Sequence, residues 1–582
     1  MKVIHRGPVA FHRDTHAGTG TGRDAAEISE VDDAPESPAT PYAIEVGDSF
    51  AGHVSTVGDN DWIAIQLQAG QSYEFRLLGS ASGNGTLEDP YLRLRDGSGT
   101  LLAENDDIIF GSLRESRLVF TPPSDGTHYV DAGAYGNFTG SYRLLAQPYA
   151  PPPTASLDML VDQLVSDYWG LPSGVSYRFD TRFSSLITVD VTGLTPEGRQ
   201  LARWALEAWE RVADLTFREV TEGARITFRD DQFGAYSEQA LENGFTSSAT
   251  VNISTDWLDS YGTTIDSYSF LTYIHEIGHA LGLGHLGNYN ASAVYPEDAR
   301  FANDSYQVSV MSYFSQGENT AVNADTAFPI TAMMADIVAV QSLYGPSAVT
   351  AGNTVWGAGS TLPGYIGVYF RALAEGTFDR GFHTGGPVSL TIFDIGGIDT
   401  LDLSFSAAAD RVDLRGGQFS DIMGLTGNLG IAPGTVIERL FSGPGNDTVI
   451  GNAADNFVFS DTGDDDLQGG AGRDDLRAGQ GSDTVSAGEG DDLVYGGNGR
   501  DLVFLNQGDD LFNDNSQGGA LGRDTVFGGY GDDTIQGGNG DDMFHGEWGA
   551  DEIHGRLGND SIYAGDQFDT VWAGEGDDLV YG

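Results

Sequence analysis

The chain has 582 residues, too many for one hydrophobic core, so several domains are expected. It has no cysteine, which excludes disulfides and thiolate metal sites. Its 85 acidic residues against 29 basic ones give a formal net charge of −56. That disfavours nucleic acid and anionic membranes as partners, and favours cation binding or a very soluble surface.

In chain order, residues 1–41 are polar, rich in Gly, Asp and Glu, and are expected to be disordered. They lack the apolar core of a secretory signal peptide, so export is expected to use another route. No run of about 18 apolar residues occurs anywhere, and no membrane-spanning helix is expected. Residues 42–147 carry short alternating stretches, at Asp61–Leu67, Tyr73–Leu77, Tyr91–Leu94, Ser116–Phe120 and Gly126–Val130, separated by turns such as Asp96–Gly99. That pattern predicts a β-sandwich. Asp89-Pro90-Tyr91-Leu92 and Glu104-Asn105-Asp106-Asp107 resemble the bacterial pre-peptidase C-terminal domain, which accompanies secreted peptidases. Asp59, Asp61, Asp89, Asp106 and Asp107 are either calcium ligands or ordinary turn acids. Residues 148–154 form a stiff proline-rich linker.

Residues 155–345 read as an α/β domain. A helix opens at Thr195-Pro196 and runs past Trp209. Strands are expected at Leu215–Val220, Arg225–Phe228 and Val251–Ser254, and a last helix over about Ala332–Leu343. Between them lies His275-Glu276-Ile277-Gly278-His279-Ala280-Leu281-Gly282-Leu283-Gly284-His285. His275 and His279 are four apart and share one face of a helix. Gly282 permits a sharp turn, after which His285 returns as a third ligand. Three neutral histidines with one open position is the pattern of a catalytic zinc site, and Glu276 stands where it can take a proton from water. Met311, in Ser309-Val310-Met311-Ser312-Tyr313, resembles the Met-turn that underlies the ligands in metzincin proteases.

Residues 346–442 are expected to be a β-rich entry to a C-terminal roll. From 443 to 582 the text repeats every nine residues, as in Gly469-Gly470-Ala471-Gly472-Arg473-Asp474-Asp475-Leu476-Arg477. The pattern matches the calcium-binding repeat of RTX proteins, which stacks into a parallel β-roll. The aspartate of each repeat supplies a hard anionic oxygen suited to calcium. These aspartates are Asp447, Asp465, Asp474, Asp483, Asp492, Asp501 and Asp510, then, after an insertion around Asn515–Leu521, Asp524, Asp533, Asp542, Asp551, Asp560, Asp569 and Asp578. About thirty acids face five arginines in this stretch, so folding is expected to require bound calcium.

Motif, Met-turn and repeats together resemble the serralysin family, secreted zinc endopeptidases with RTX domains. Asp336–Gly345 is similar to that family's helix joining two domains, and Phe393–Thr400 and Gly451–Asn456 to its lead into the β-roll. The resemblance implies a metzincin zinc protease domain held by His275, His279 and His285, with Glu276 as general base. It also implies Tyr313 as an additional zinc ligand that can leave and stabilise the oxyanion. The expectation is therefore a multidomain, monomeric protein: an N-terminal β-sandwich, an α/β metzincin zinc protease domain and a C-terminal parallel β-roll. Zinc and calcium are its cofactors, extracellular proteins or peptides its substrates, and a type I secretion system its exporter. The family's C-terminal secretion signal is not visible after the repeats. The alternative is a catalytically silent RTX surface or adhesion protein on the same scaffold, which the intact Glu276 disfavours.

Overall fold

The computed structural model describes residues 25–106, 114–170, 176–290, 292–514 and 522–582. The chain divides into two compact units, one ending at Pro152 and the other running from Pro153 to Gly582.

The first unit is a pair of five-stranded sheets. One runs Glu27–Ser29, Ser49–Val54, Gly140–Pro148, Tyr73–Leu78, Ser116–Phe120. The other runs Ala43–Ile44, Asp61–Leu67, Gly126–Ala134, Pro90–Arg95, Leu101–Asn105. Alternation in the sequence sends Ile63, Ile65, Phe75, Leu77, Leu92, Leu94 and Leu144 into the space between sheets, where all are buried. The expectation of disorder through residue 41 fails for its described part. Glu27–Ser29 pairs in parallel with Ser49–Ala51, Ile28 packs against the sandwich core, and the Glu30 carboxylate accepts the Ala34 and His53 amides at 2.8 and 2.6 Å. A strand this short is held by one apolar side chain and a backbone ladder, which a polar composition conceals. Residues 1–24 lie outside the described residues.

The second unit begins with a helix at Leu157–Asp162 that widens into a π-helical turn, Gln163–Asp167. A sheet comes next, in the order Thr216–Glu219, Leu186–Gly193, Ile226–Arg229, Phe245–Ile253, Ala235–Glu242, parallel except for the last strand. Helix Pro196–Glu210 starts at Thr195, whose hydroxyl accepts the Gly198 amide, with proline in the first turn. The motif helix, Tyr268–Leu281, is capped by Ser267 and ended by Gly282 at φ +108°. It is almost wholly buried, which explains why apolar residues surround it. The Trp209 indole lies beneath it and donates to the Ile274 carbonyl at 3.1 Å. Helix Met334–Tyr344 completes the layer.

Residues 346–442 are not only β-structure: Gly364–Glu375 is a helix. Its text, Tyr365-Ile366-Gly367-Val368-Tyr369-Phe370, favours strand locally, but burial of Tyr365, Ile366, Tyr369 and Phe370 overrides that preference. Beyond it, alternate repeats add parallel strands to two sheets of 13 and 10 strands, the winding of a β-roll; in the larger sheet Phe419–Ile422, ahead of the repeats, runs antiparallel to both its neighbours. Neighbours in a sheet are therefore two repeats apart, as in Leu467↔Val485 and Val458↔Leu476. The apolar residue of each repeat, from Val449 to Ile562, is fully buried between the sheets. At the insertion, Val503 pairs with Val526, 23 residues on rather than 18, so the phase recovers; residues 515–521 themselves lie outside the described residues.

Gly278 sits where the motif helix crosses Met311 and Trp209. A Cβ there would lie 2.6 Å from the Met311 sulfur and 3.1 Å from the Trp209 ring. Alanine exceeds glycine in helix propensity by about 1 kcal/mol, whereas overpacking a filled core costs about 1–3 kcal/mol. Both neighbours are buried, so overpacking wins. Gly278→Ala is expected to lower the melting temperature by a few degrees, read by circular dichroism. An unchanged or higher melting temperature would contradict this packing.

Candidate functional site

The motif helix carries His275 and His279 one turn apart, and the left-handed turn at Gly282 reverses the chain. A side chain at Gly282 would meet the Tyr177 and Arg178 backbone at 2.9–3.0 Å, so the turn requires glycine on two counts. His285 then comes back onto the pair. Its Nε2 lies 2.9 Å from that of His279 and 3.2 Å from that of His275. Each Nδ1 meets a carbonyl at 2.8 Å: Val310 for His275, Leu283 for His279, Tyr289 for His285. A carbonyl only accepts, so each Nδ1 carries the proton and each Nε2 presents a lone pair. Burial holds the rings neutral, lowering His275 to about 4 and His279 to about 3, with His285 well below its ordinary value. Three lone pairs thus converge on one point with no proton between them. They repel one another, and a cation at their centre removes the repulsion. An all-nitrogen, three-ligand set fits zinc with a position left open.

Glu276 is buried beside the triad. Its Oε2 has no hydrogen-bond partner among the described residues, and burial raises its pKa to about 8. The Tyr313 ring stands 4.6 Å from that of His285 and 5.8 Å from that of His275. Met311 is fully buried beneath the helix. The structure therefore gathers His275, His279, His285, Glu276, Tyr313 and Met311 in one place.

Two buried aspartates that hold the site were not assigned a role from sequence. The Asp336 carboxylate accepts the Ser309 hydroxyl at 2.6 Å and the Val310 and Met333 amides at 2.7 and 2.9 Å. It thereby fixes the turn whose Val310 carbonyl orients His275. Asp304 accepts the Ser312 and Tyr289 hydroxyls at 2.6 and 3.1 Å, and the Tyr289 carbonyl orients His285. Such partners set ring tautomer and direction. The available signal for Asp336 was a lone acid in an otherwise apolar helix; nothing marked Asp304.

The repeat aspartates form two columns. In one, each backbone N–H donates to Oδ1 of the next member: Asp447 to Asp465, then Asp483, Asp501, Asp524, Asp542, Asp560 and Asp578. The other runs Asp474, Asp492, Asp510, Asp533, Asp551, Asp569. Asp410 and Asn456 head these columns; Asp410 lies outside the nine-residue period, and Asn456 falls on it but is not an aspartate. One oxygen of each aspartate is thus committed to the backbone. Among the described residues, the second oxygen is buried without a hydrogen-bond partner at Asp447, Asp465, Asp474, Asp483, Asp492, Asp501, Asp510, Asp533, Asp551 and Asp560. Hard anionic oxygens in this state fit calcium.

In the first unit, Asp61 is buried and accepts the Tyr142 hydroxyl at 2.7 Å, and its Oδ1 has no partner among the described residues. Glu30 and Asp33 bring carboxylate oxygens to it, all within 4.8 Å of one another. Asp59 instead caps the Ser55 amide, and Asp89 pairs with Arg114. Asp107 lies outside the described residues.

Parallel strands are about 4.8 Å apart, so ionised neighbours in a column repel by about 3 kcal/mol at an effective dielectric of about 20. Burial first, then neighbouring acids, raise Asp483 and Asp501 to about 7 and Asp533 to about 8, from 3.8. Between these values the folded roll binds more protons than the unfolded chain, so its stability falls as pH rises through that window. In chelator, the roll is expected to be more stable at about pH 5 than at about pH 8, and calcium to restore it at the higher pH. Denaturation midpoints by circular dichroism check this; equal or greater stability at the higher pH in chelator would refute it.

Three family models match: matrixin over residues 177–309, Peptidase M10 serralysin C terminal over 370–487, and the RTX calcium-binding nonapeptide repeat over 477–512, 518–553 and 554–582. Among relatives, serralysin C of Dickeya chrysanthemi is 32% identical over 378 residues, 60% of this chain and 73% of that one. Serralysin B of the same organism is 35% identical over 304 residues, 48% of this chain and 59% of that one. Metallopeptidase AprA of Pseudomonas marginalis is 28% identical over 389 residues, 61% of this chain and 76% of that one. The chain spans 54–60% of the length of several such relatives. A pre-peptidase C-terminal domain of a Bacillus anthracis collagenase aligns with 22% of this chain and 100% of its own, at 15% identity and a TM-score of 0.15, too low to carry an argument. With three matched models in register along the second unit, and most of a relative's length covered at 32% identity, the chain belongs to the serralysin family.

Proposed function

We propose that the protein is a zinc-dependent endopeptidase, monomeric and secreted, acting on extracellular proteins, with a C-terminal roll that folds on calcium. The observation that carries this is the convergence of three neutral imidazoles beside a buried carboxyl whose Oε2 has no hydrogen-bond partner among the described residues. The first unit is read as a pre-peptidase-like domain, and a type I system as the exporter.

His275, His279, His285 and Tyr313 would hold the metal. Zinc, when bound, polarises a peptide carbonyl and makes water more acidic. The chain's own residues do the rest. Glu276 is next to His275 in the chain and buried beside the triad, the position of a general base. It takes a proton from the attacking water as the new C–O bond forms. It then passes that proton to the amide nitrogen as the C–N bond breaks, leaving a carboxylic acid and an amine, and the acid's remaining proton moves to the amine to give carboxylate and ammonium. The Tyr313 hydroxyl donates a hydrogen bond to the oxyanion between these steps. The three carbonyls of Val310, Leu283 and Tyr289 keep the imidazoles from turning throughout. A silent scaffold has no use for a buried carboxyl whose Oε2 has no partner among the described residues, which costs stability.

Glu276→Gln keeps the shape and removes the base. Hydrolysis of casein by the zinc- and calcium-loaded chain is expected to fall by about 10³-fold, with zinc content unchanged. A wild-type chain that leaves casein intact, or a variant within tenfold of wild type, would sink the endopeptidase reading.

A further inference from the structure

His285 differs from the other two ligands in having no helix to hold it. The loop that carries it, Gly282–His285, is instead held from outside by the segment that opens the second unit. Three hydrogen bonds cross from that segment to three loop residues. The Trp169 indole N–H donates to the Gly282 carbonyl at 2.9 Å. The Gly284 amide donates to the Leu164 carbonyl at 2.7 Å. The Gln163 side-chain amide donates to the carbonyl of His285 itself at 3.1 Å. The Tyr168 ring then stands edge-on to the His285 ring at 5.0 Å. It fills the space that any side chain on Gly284 would need.

The direction of the Gln163 amide is also set. Its Oε1 accepts from the Arg300 guanidinium, and Arg300 is anchored in turn to Asp167 at 2.9 Å. The nitrogen therefore has to face the His285 carbonyl. Gln163 is fully buried, so neither end of its amide can exchange its partner for water. The turn that carries these groups, Gln163–Asp167, is π-helical. That widening of a helix is frequent at functional sites. It places Gln163, Leu164, Tyr168 and Trp169 toward one loop.

We infer that Gln163 and Trp169 are positioning residues for the third metal ligand, and that the segment Gln163–Trp169 is part of the metal site although it lies more than a hundred residues from the motif. The inference rests on the zinc reading above. Loss of either side-chain donor leaves a loop carbonyl without its partner and lets His285 drift from the other two imidazoles. Groups that orient a ligand typically change metal affinity by about 10–100-fold when removed.

The test uses the full chain with calcium present, stripped of zinc, and measures zinc affinity by competition with a chromophoric chelator. Gln163→Met keeps volume and removes the amide; Trp169→Phe keeps an aromatic ring and removes the N–H. Each is expected to bind zinc at least about tenfold more weakly than wild type, mainly through faster release. Arg300→Leu, which frees the Gln163 amide to turn, is expected to move in the same direction and decides the matter if Gln163→Met does not fold. The melting temperature of the zinc-free chain is recorded beside it. A lower melting temperature with zinc affinity within twofold of wild type assigns these residues to packing alone and overturns the proposal. A wild-type chain that binds no zinc overturns the zinc reading first and this inference with it.

Discussion

Three imidazole lone pairs meeting within 2.9–3.2 Å, in rings too buried to protonate, are the constraint on which the second unit depends. Every nearby device serves to hold them in place: the carbonyls that fix the tautomers, the glycine turn that returns His285, and the buried Asp336 and Asp304 that brace the two carbonyl-bearing loops. Converging lone pairs of this kind suit a cation at their centre, as local strain at functional sites commonly does.

The roll obeys the same logic on a larger scale. Stacking repeats at the strand spacing puts like carboxylates side by side, one oxygen tied to the backbone and the other bare. The buried apolar residue of each repeat supplies the packing, but alone it works against a column of charges. Both halves of the unit thus present donor sets suited to a cation, the one of nitrogen and the other of oxygen, in keeping with the preferences of zinc and calcium. With no cysteine, the chain is stabilised by packing, or by bound metal, and not by disulfides.

Much of this was legible from the residues alone, because the chemistry is local in sequence. His275, Glu276, His279 and His285 fall within eleven residues, and helix periodicity dictates how they face. The repeats announce the roll because each repeat adds one strand and one buried side chain, and the sandwich strands Asp61–Leu67 and Ser116–Phe120 emerge from plain alternation. What escaped is what depends on distant partners. Asp304, Asp336 and Gln163 look like ordinary polar residues until folding brings them against the loops they hold. Asp410 heads a column without obeying its period. Gly364–Glu375 is helical against its local preference, and Glu27–Ser29 is a strand within a polar text. In each case tertiary burial, not propensity, decides the outcome.

The central claim is that the converging imidazoles of His275, His279 and His285 form the seat of a single zinc ion. X-ray absorption at the zinc edge, on the full chain with calcium and one equivalent of zinc, tests it most directly. The predicted spectrum has three imidazole nitrogens at about 2.0–2.1 Å, with the outer-shell scattering of histidine rings. A first shell of oxygens without imidazole scattering would contradict it.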